Sequence, residues 1–203
     1  FDIIVKGKGG HAAIPDLTID PVIIASQIIN AVQTIISRVT SPIDKALISI
    51  TKIHAGSAYN VIDDEVFLGG TVRTFKDKTR NLIKQKLFDT SKGIAIANGG
   101  NIEFVYKSGY PPTINSAKES IFAGNVAKNL VGENNVINEI EPSMGGEDFS
   151  YFLNEKPGSY LYIGQKDKKH EAHLHTTKYD FNDNLLPIGV NFWIDLVKSF
   201  FNK

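Results

Sequence analysis

Histidine is the residue type in this sequence whose placement most suggests chemistry. The chain has only five histidines, and three of them, His170, His173 and His175, fall within six consecutive positions. A fourth, His11, stands between Gly9-Gly10 and Ala12-Ala13, small residues that let a substrate or another backbone come close. Imidazole can bind a metal, carry a proton or donate a hydrogen bond to a developing oxyanion. The pattern favours metal-assisted hydrolysis.

The four histidines are not equally suited to a role. His170 follows a run of charged residues and is expected to be a solvated surface histidine, whereas His173 stays ambiguous. His175 lies between Leu174 and two threonines and is the best candidate metal ligand, although the HxxHxH spacing by itself is a weak signal. His11 is either a simple turn histidine or an oxyanion donor or acid, because a lone histidine cannot build a metal site.

Two further sets of residues could contact a substrate. Asn60 and Arg73 carry an amide and a guanidinium group, which suit a carboxylate or a carbonyl, although an arginine in a strand more commonly pairs with a nearby Asp or Glu. Gly145 and Gly146 precede Glu147 and Asp148 at a predicted helix start. That turn is explained either by helix capping or by backbone amides that approach a ligand.

Composition excludes several classes of function. The 203 residues carry 22 basic and 22 acidic side chains, so no overall field favours nucleic acid or an anionic membrane. The chain has no cysteine, no GxGxxG fingerprint in a strand–helix context and no GxSxG elbow. The longest uncharged stretch, residues 21–37, contains six Ser, Thr, Asn or Gln residues, so we expect it not to span a bilayer and expect a cytoplasmic protein.

The elements that must position these residues follow the order β-α-β-β-α-β over residues 1–110, an order typical of the split βαβ or ferredoxin-like arrangement. Gly69-Gly70 inside the third predicted strand suggests a bulge or a close backbone approach. The predicted elements are a strand at 1–5, a helix opened by Asp20-Pro21, strands at 46–54 and 65–75, a helix at 77–97 capped by Asp77, and a strand through Ile102, Phe104 and Tyr106.

Pro111-Pro112 marks the expected boundary of a second part, residues 111–203. Here we predict a helix at 116–130, a short strand Tyr160–Ile163, and a last helix from about Asn184. The apolar face of that last helix is expected to be Trp193, Leu196, Val197 and Phe200. These elements more naturally belong to a larger α/β layer. Because the sequence opens inside a strand and its only methionine is Met144, we expect it to be a piece of a longer protein.

Six motifs in order along the chain resemble the aminoacylase/carboxypeptidase G superfamily of di-zinc metallopeptidases. The closest branch is that of the hippurate hydrolases and N-acyl-amino-acid amidohydrolases. The motifs are Gly7–Pro15 (GKGGHAAIP), Ala58–Ile62 (AYNVI), Gly70–Phe75 (GTVRTF), Tyr110–Thr113 (YPPT), Gly145–Ser150 (GGEDFS) and Leu174–Asp183 (LHTTKYDFND).

The resemblance implies an α/β protein with a ferredoxin-like lid and dimerisation domain at residues 1–110. Residues 111–203 would be the C-terminal half of a zinc-peptidase catalytic domain whose N-terminal part is missing. Two divalent metal ions, zinc or else manganese, cobalt or nickel, are implied for the parent enzyme. His175 matches the one metal ligand from this half, and His11 matches a lid histidine that stabilises the oxyanion in the partner subunit's site.

The resemblance also implies that Asn60 and Arg73 help to hold a small N-acyl-amino acid, Arg73 through the substrate carboxylate. The sequence departs from the branch at Asp16, Asp63 and Thr176-Thr177, where His, Pro and Ser-Pro are usual. These departures leave the substrate range open.

The expected function is therefore part of a metal-dependent amidohydrolase acting on N-acyl-amino acids or small peptides. We expect a homodimer formed through the lid, with no nucleic-acid or membrane partner. This chain alone should be inactive, because it supplies one metal ligand and no general base. The alternative is a stand-alone ferredoxin-like dimerisation module that binds an amino acid without catalysis.

Overall fold

The computed structural model describes residues 1–202, which form two compact units, Phe1–Pro112 and a second that begins at Thr113. The first contains strands β1 Asp2–Lys6, β2 Gly10–His11, β3 Ala46–His54, β4 Val61–Ile62, β5 Glu65–Thr74 and β6 Asn101–Val105, with helices α1 Pro21–Thr34 and α2 Asp77–Ala97. The second contains helices α3 Ala117–Val131, α4 Phe149–Glu155 and α5 Leu186–Phe201.

A four-stranded sheet in the order β3-β5-β1-β6, with all neighbours antiparallel, organises the first unit. The short strands β2 and β4 form a separate two-stranded antiparallel sheet. Strand β1 alternates in burial, so that Ile3 and Val5 face the core together with Val66 and Leu68 of β5. Helices α1 and α2 contribute to the same core, which makes the unit a helical layer on a sheet. The predicted α/β class is confirmed.

Helix α1 begins as the sequence indicates, because Asp20 Oδ1 accepts hydrogen bonds from the amides of Val22 (2.8 Å) and Ile23 (3.4 Å). After Thr34 the helix widens into a π-turn, Ile35–Val39. The 19 residues from Pro21 to Val39 are long and apolar enough to cross a membrane by length and composition alone, a test that the core helix of a soluble protein also passes. Their inner face nevertheless packs in the core of the first unit, where Ile24, Ile28 and Val32 are almost fully buried.

Helix α2 begins differently from the prediction. Asp77 is its first helical residue rather than its cap, and the capping position is Lys76, which makes no side-chain capping bond. The Asp77 carboxylate instead forms an ion pair with Arg80, one turn later in the helix (2.8 Å). The predicted end is confirmed, since Gly99 adopts a left-handed conformation with φ of 80° just beyond the helix.

The close approach predicted at Gly69-Gly70 is confirmed. A Cβ on Gly70 would lie 2.3 Å from the backbone oxygen of Ser49 and 2.6 Å from the Phe1 ring. The register of the β3–β5 pair shifts here, because Ile50 pairs with Gly70 while Lys52 pairs with Gly69. The extra residue of the irregularity therefore stands on β3, opposite the glycines.

One predicted element of the second unit is wrong. Residues 160–163 do not form a strand, and the backbone N–H and C=O of Tyr160 bond to the side chain of Asn115. The apolar face predicted for α5 is largely exposed, since Trp193 is 64% and Phe200 59% exposed. Helix α5 packs chiefly against α3 and the turn before it, which cover only part of its surface.

Candidate functional site

The β2–β4 pair brings His11 and Asn60 together. His11 lies opposite Val61 in the pair, and the amide of Ala12 donates a hydrogen bond to the backbone oxygen of Asn60 (3.0 Å). The β2–β4 pair thus brings together two candidate residues that are 49 positions apart in the sequence. Both side chains are exposed to solvent.

An open cleft of about 420 Å³ lies beside this pair, lined by Gly9, Gly10, His11 and residues 60–64. Sequence reasoning did not single out two of its residues, Asp63 and Asp64, as site residues. Only the departure from the branch pattern at Asp63 pointed toward this position. The pairing of β2 with β4 is the long-range contact that makes them part of the same wall as His11.

The hydrogen bonding of the His11 ring determines which nitrogen can act. The amide of Ala13 donates to Nδ1 at 3.1 Å, so Nδ1 serves as an acceptor and the neutral ring carries its proton on Nε2. An exposed Nε2–H is a suitable donor for a carbonyl oxygen on which negative charge develops. The arrangement agrees with the predicted oxyanion role and gives no support to metal binding by His11.

Gly9 has no room for a side chain. Its amide donates to Asp64 Oδ1 (2.8 Å), and a Cβ at this position would lie 2.6 Å from the backbone oxygen of Ile62. The amide of Gly7 donates to the backbone oxygen of Asp64 (2.8 Å) as well. These contacts hold the chain close to β4 and define the floor of the cleft.

Arg73 lies elsewhere. It stands near the far end of β5, paired with Leu47 of β3, whereas the cleft adjoins the start of that strand at Glu65. Eight residues of extended chain separate Glu65 from Arg73, about 26 Å at the usual rise of a strand. The structure therefore does not bring Arg73 together with His11 and Asn60 in one copy of the chain.

The alternative reading of Arg73, an ion pair with a nearby acid, is not what the structure has. Its side chain is exposed and makes no ion pair or hydrogen bond with any of residues 1–202. The guanidinium fork is thus available for an external carboxylate.

In the second unit, Glu147 organises the loop that contains Gly145 and Gly146. Its Oε2 accepts a hydrogen bond from the Tyr160 hydroxyl (2.8 Å), and its Oε1 accepts one from the amide of Phe149 (3.4 Å). Asp148, at the capping position of α4, makes no side-chain capping bond. Capping by Glu147 is therefore part of the explanation of this turn. Tyr160 is a partner that sequence reasoning missed, because no local pattern links it to Glu147.

The Glu147–Tyr160 hydrogen bond shifts the pKa values of both groups. It is the main cause that lowers the pKa of the Glu147 carboxyl, with the Phe149 amide adding to the effect. The same bond, together with burial, raises the pKa of Tyr160 to about 12. The amide of Gly145 donates to the hydroxyl oxygen of Ser143 (3.1 Å), so that amide already has a partner within the loop.

His175, the candidate metal ligand, has an unusual backbone. It is exposed, and among residues 1–202 it is the one non-glycine residue with positive φ, at 63°. Such a conformation is uncommon for histidine outside turns and functional sites. Thr176 Oγ1 donates to the backbone oxygen of His173 (2.8 Å) and tightens the turn.

The prediction for His170 is wrong. It is half-buried rather than solvated, and its Nδ1 lies 2.8 Å from Asp167 Oδ1. The amides of Lys169 and His170 also donate to that oxygen, and these bonds together lower the pKa of the Asp167 carboxyl, the Lys169 amide most of all. His170 thus serves to order a loop. Its charged neighbours along the sequence gave no sign of this.

The donor set for a metal is incomplete. Within residues 1–202 no group of three or more His, Asp or Glu side chains is placed to hold a metal ion. Stable zinc sites in proteins use three or four such ligands. His175 alone does not constitute a metal site.

Residues 7–199 match the sequence profile of peptidase family M20/M25/M40. Among curated relatives, the hippurate hydrolase of Campylobacter jejuni is 34% identical over 200 residues, which cover 98% of this chain and 51% of the relative. The N-acetyl-L-cysteine deacetylase of Bacillus subtilis is 39% identical over 173 residues, covering 85% of this chain and 41% of the relative. The chain spans about half the length of the curated relatives it matches.

Two solved structures of peptidases have a fold similar to that of this chain. The YXEP protein of Bacillus subtilis, a dinuclear metal binding peptidase from the M20 family, has a TM-score of 0.67 and 26% identity, over 96% of this chain and 47% of that one. A tripeptidase from Staphylococcus aureus has a TM-score of 0.78 over the whole of this chain and 51% of its own; at 24% identity, this likeness concerns the fold alone.

Proposed function

The chain belongs to peptidase family M20/M25/M40, and we propose from this premise that it forms part of a metal-dependent amidohydrolase that cleaves N-acyl-amino acids. Relatives named for the hydrolysis of hippurate and the deacetylation of N-acetylcysteine support this substrate class. In this proposal residues 1–110 are the lid and dimerisation domain, and residues 111–203 are the C-terminal part of the catalytic domain.

The observation that carries the proposal is the exposed Nε2–H of His11 beside Asn60. When water adds to an amide carbonyl carbon, the carbonyl oxygen becomes an oxyanion before the C–N bond breaks and the nitrogen takes a proton. His11 donates to that oxyanion, and the Asn60 amide adds a donor or acceptor for the substrate. Donors of this kind, fixed before the reaction, typically contribute a factor of about 10²–10³ to kcat.

The separation of Arg73 from the cleft supports a dimeric site. A small N-acyl-amino acid cannot span about 26 Å of strand, so His11 and Arg73 of one chain cannot act on the same molecule. In a twofold dimer, His11 and Asn60 of one subunit act in the site where Arg73 of the other holds the substrate carboxylate. Each of the two sites then uses residues of both chains.

Helix α1 offers a surface suited to such a dimer. Its outward side exposes Val22 and Ile23 and carries no Lys, Arg, Asp or Glu from Pro21 to Ser37. The polar groups of this side are largely satisfied within the helix, since Ser26 and Asn30 donate to the carbonyls of Ile23 and Ser26. A surface depleted of charge costs little to desolvate.

In this proposal the metal ligands other than His175, and the general base, belong to polypeptide outside this chain. The absence of a metal-binding group from residues 1–202 and the doubled length of the relatives support the assignment. The exposed apolar side of α5, including Trp193 and Phe200, supports it too, because large apolar surfaces of this kind are normally covered. Gly145, Gly146 and His175 face the completed site in this proposal.

A chimera tests the function. The segment of the Campylobacter hippurate hydrolase that aligns with this chain is replaced by residues 1–203, and hydrolysis of N-benzoylglycine is measured with zinc, manganese or cobalt. We expect turnover by the chimera and none by the 203-residue chain alone. Robust turnover by the chain alone would show that it is complete, and a folded chimera that binds metal without any turnover would contradict the proposed function.

Mixing two variants of the chimera tests the shared site. His11→Ala and Arg73→Ala homodimers should each be nearly inactive. After mixing in equal amounts and allowing subunits to exchange, about a quarter of the wild-type activity should return, because half of the dimers then contain one intact site of two. No recovery despite exchange would mean that each site takes both residues from the same subunit.

One observation favours a second function. The lack of a metal-binding group within residues 1–202 fits a module that binds an amino acid without hydrolysing it. Such a module predicts ligand binding by the chain together with an inactive chimera.

A further inference from the structure

We propose that Asp63 determines substrate charge at this site and selects N-acyl-amino acids whose side chain carries a positive charge. The inference rests on the proposed function, since it takes the cleft beside His11 as the place where the substrate binds. It concerns a position at which no motif assigned a role.

His11 and Asp63 line the same cleft. His11 lies opposite Val61 in the β2–β4 pair, and Asp63 is the residue that directly follows β4. Gly9 and Gly10 also line the cleft and contribute no side chain to it.

The cleft is negatively charged. Asp63 and Asp64 both line it, and no lysine or arginine does. The Asp63 carboxylate accepts a hydrogen bond from Ser57 Oγ (2.5 Å) at Oδ1, and it forms no ion pair with any of residues 1–202. Its second oxygen is therefore available to a ligand.

Asp64 differs from Asp63 in its role. Its Oδ1 takes the amide of Gly9 and its backbone oxygen takes the amide of Gly7, so it maintains the loop geometry. The residue that can discriminate between substrates without altering the wall is therefore Asp63. In this partly solvated cleft, a ligand cation near the Asp63 carboxylate should bind about three- to tenfold more tightly than a neutral isostere.

Three matched ligands test the inference on the 203-residue chain itself. N-benzoyl-L-lysine, N-benzoyl-L-norleucine and N-benzoyl-L-2-aminoadipate share the acyl group and the α-carboxylate and differ in side-chain charge. Binding is followed by titration of ¹⁵N-labelled protein, with the amide signals of Gly9, Gly10 and His11 as reporters. We expect the lysine derivative to bind about three- to tenfold more tightly than norleucine and the aminoadipate most weakly, with a smaller spread in high salt.

Two variants separate the role of Asp63 from net charge. Asp63→Asn keeps an acceptor for Ser57 and should reduce the lysine-to-norleucine ratio to near one. Asp89→Asn makes the same change in charge on α2, outside the cleft, and should leave the ratio unchanged. Equal binding of all three ligands by the wild type, binding of none, or an unchanged ratio in Asp63→Asn would each overturn the inference.

The two proposals can fail separately. An active chimera combined with charge-blind binding would leave the hydrolase function in place and remove the role of Asp63. A charge-selective chain combined with an inactive chimera would do the reverse.

Discussion

Gly9 and Asp64 are joined by a 2.8 Å hydrogen bond from the backbone amide of the glycine to the carboxylate of the aspartate. The bond ties the residues that follow β1 to those that precede β5, across 55 positions of sequence. It holds the backbone on which His11 stands, two residues further along. The position of the His11 ring therefore depends on a glycine that could not be replaced without moving the wall of the cleft.

Gly9→Ala should destabilise the first unit and displace His11. The added Cβ would lie 2.6 Å from the Ile62 oxygen, which is backbone and cannot move aside cheaply. We expect a loss of about 1–3 kcal/mol in the free energy of unfolding, as for other overpacked sites. Urea denaturation gives the loss, and the His11 amide signal reports the displacement.

Gly93→Ala is the matched control. Gly93 lies inside α2, and a Cβ there would meet nothing within 4 Å. Because alanine favours a helix over glycine, this variant should gain about 0.5–1 kcal/mol. Equal changes in the free energy of unfolding for the two substitutions would show that the close backbone approach at Gly9 does not affect stability.

Ser91→Ala should stabilise the protein. The Ser91 hydroxyl is fully buried on α2 and has no hydrogen-bond partner among the described residues. Removing an unsatisfied buried hydroxyl, and placing alanine in a helix, should raise the free energy of unfolding by about 1–2 kcal/mol. Urea denaturation of the variant and the wild type measures the change.

Ser150→Ala provides the comparison for Ser91. Ser150 is equally buried, but its hydroxyl donates to the Glu147 backbone oxygen (2.6 Å). Its removal should lower stability by about 0.5–1.5 kcal/mol. A loss of stability in Ser91→Ala would mean that its hydroxyl is satisfied in solution.

Tyr160 should titrate at about pH 12, with Glu147 as the main cause. A raised folded pKa means that the stabilising bond is fully present below the ordinary tyrosine value and is lost as pH rises through about 12. The lowered pKa of Glu147 means that its share is lost only as pH falls through that lowered value. The pair should thus remain intact across the neutral range.

Carbon-13 signals of the tyrosine Cζ atoms measure this titration site by site. In Glu147→Gln, the Tyr160 midpoint should move back toward the ordinary tyrosine value. A Tyr160 midpoint that is unaffected by Glu147→Gln would rule out the hydrogen bond as the cause.

Ile23→Lys should dissociate the proposed dimer. Ile23 is 53% exposed on α1, so a lysine there is compatible with the fold but places a charge in the interface. We expect the dimer dissociation constant to rise at least about tenfold, since a single anchor of an interface can contribute 2 kcal/mol or more. Light scattering coupled to size exclusion measures the oligomeric state.

Ile96→Lys is the control for that variant, because Ile96 is similarly exposed (59%) but lies on α2. It should leave the dimer unchanged. A monomeric wild type at high concentration would instead remove the basis for the shared site.

A chelator should not change the stability of this chain. With His175 as a single candidate ligand, zinc should bind far more weakly than in structural sites, whose apparent binding free energies are about 10–16 kcal/mol. We expect the same urea midpoint with and without EDTA, and little heat in a zinc titration. Tight zinc binding that disappears in His175→Ala would show that the chain builds a metal site itself.

Local features of the sequence were sufficient to predict both helices and the four longer strands of the first unit, but not the short strands β2 and β4. Asp20-Pro21 fixes the start of α1 through bonds that span two or three residues, and the alternation in Ala46–His54 gives a strand at those same bounds. The predicted cap at Asp77 was wrong. A carboxylate at a helix start can either cap the backbone amides or pair with a cation one turn later, and Asp77 pairs with Arg80.

Features that need a distant partner could not be predicted locally. Residues 160–163 have the composition of a strand, yet a strand exists only where another can pair with it, and the backbone groups of Tyr160 bond to the Asn115 side chain instead. Likewise, the periodicity of α5 predicted an apolar face correctly, but burial of Trp193 depends on what covers that face.

The sequence by itself determined the α/β class, the family and the types of residue at the candidate site, because these depend on local pattern and motif. Only the tertiary structure decided that His11 and Asn60 meet across β2 and β4, that Asp63 shares their cleft, and that Arg73 lies far away along β5. The physical reason is that strand pairing joins segments some 50 residues apart in the chain, and its register sets which side chains share a face.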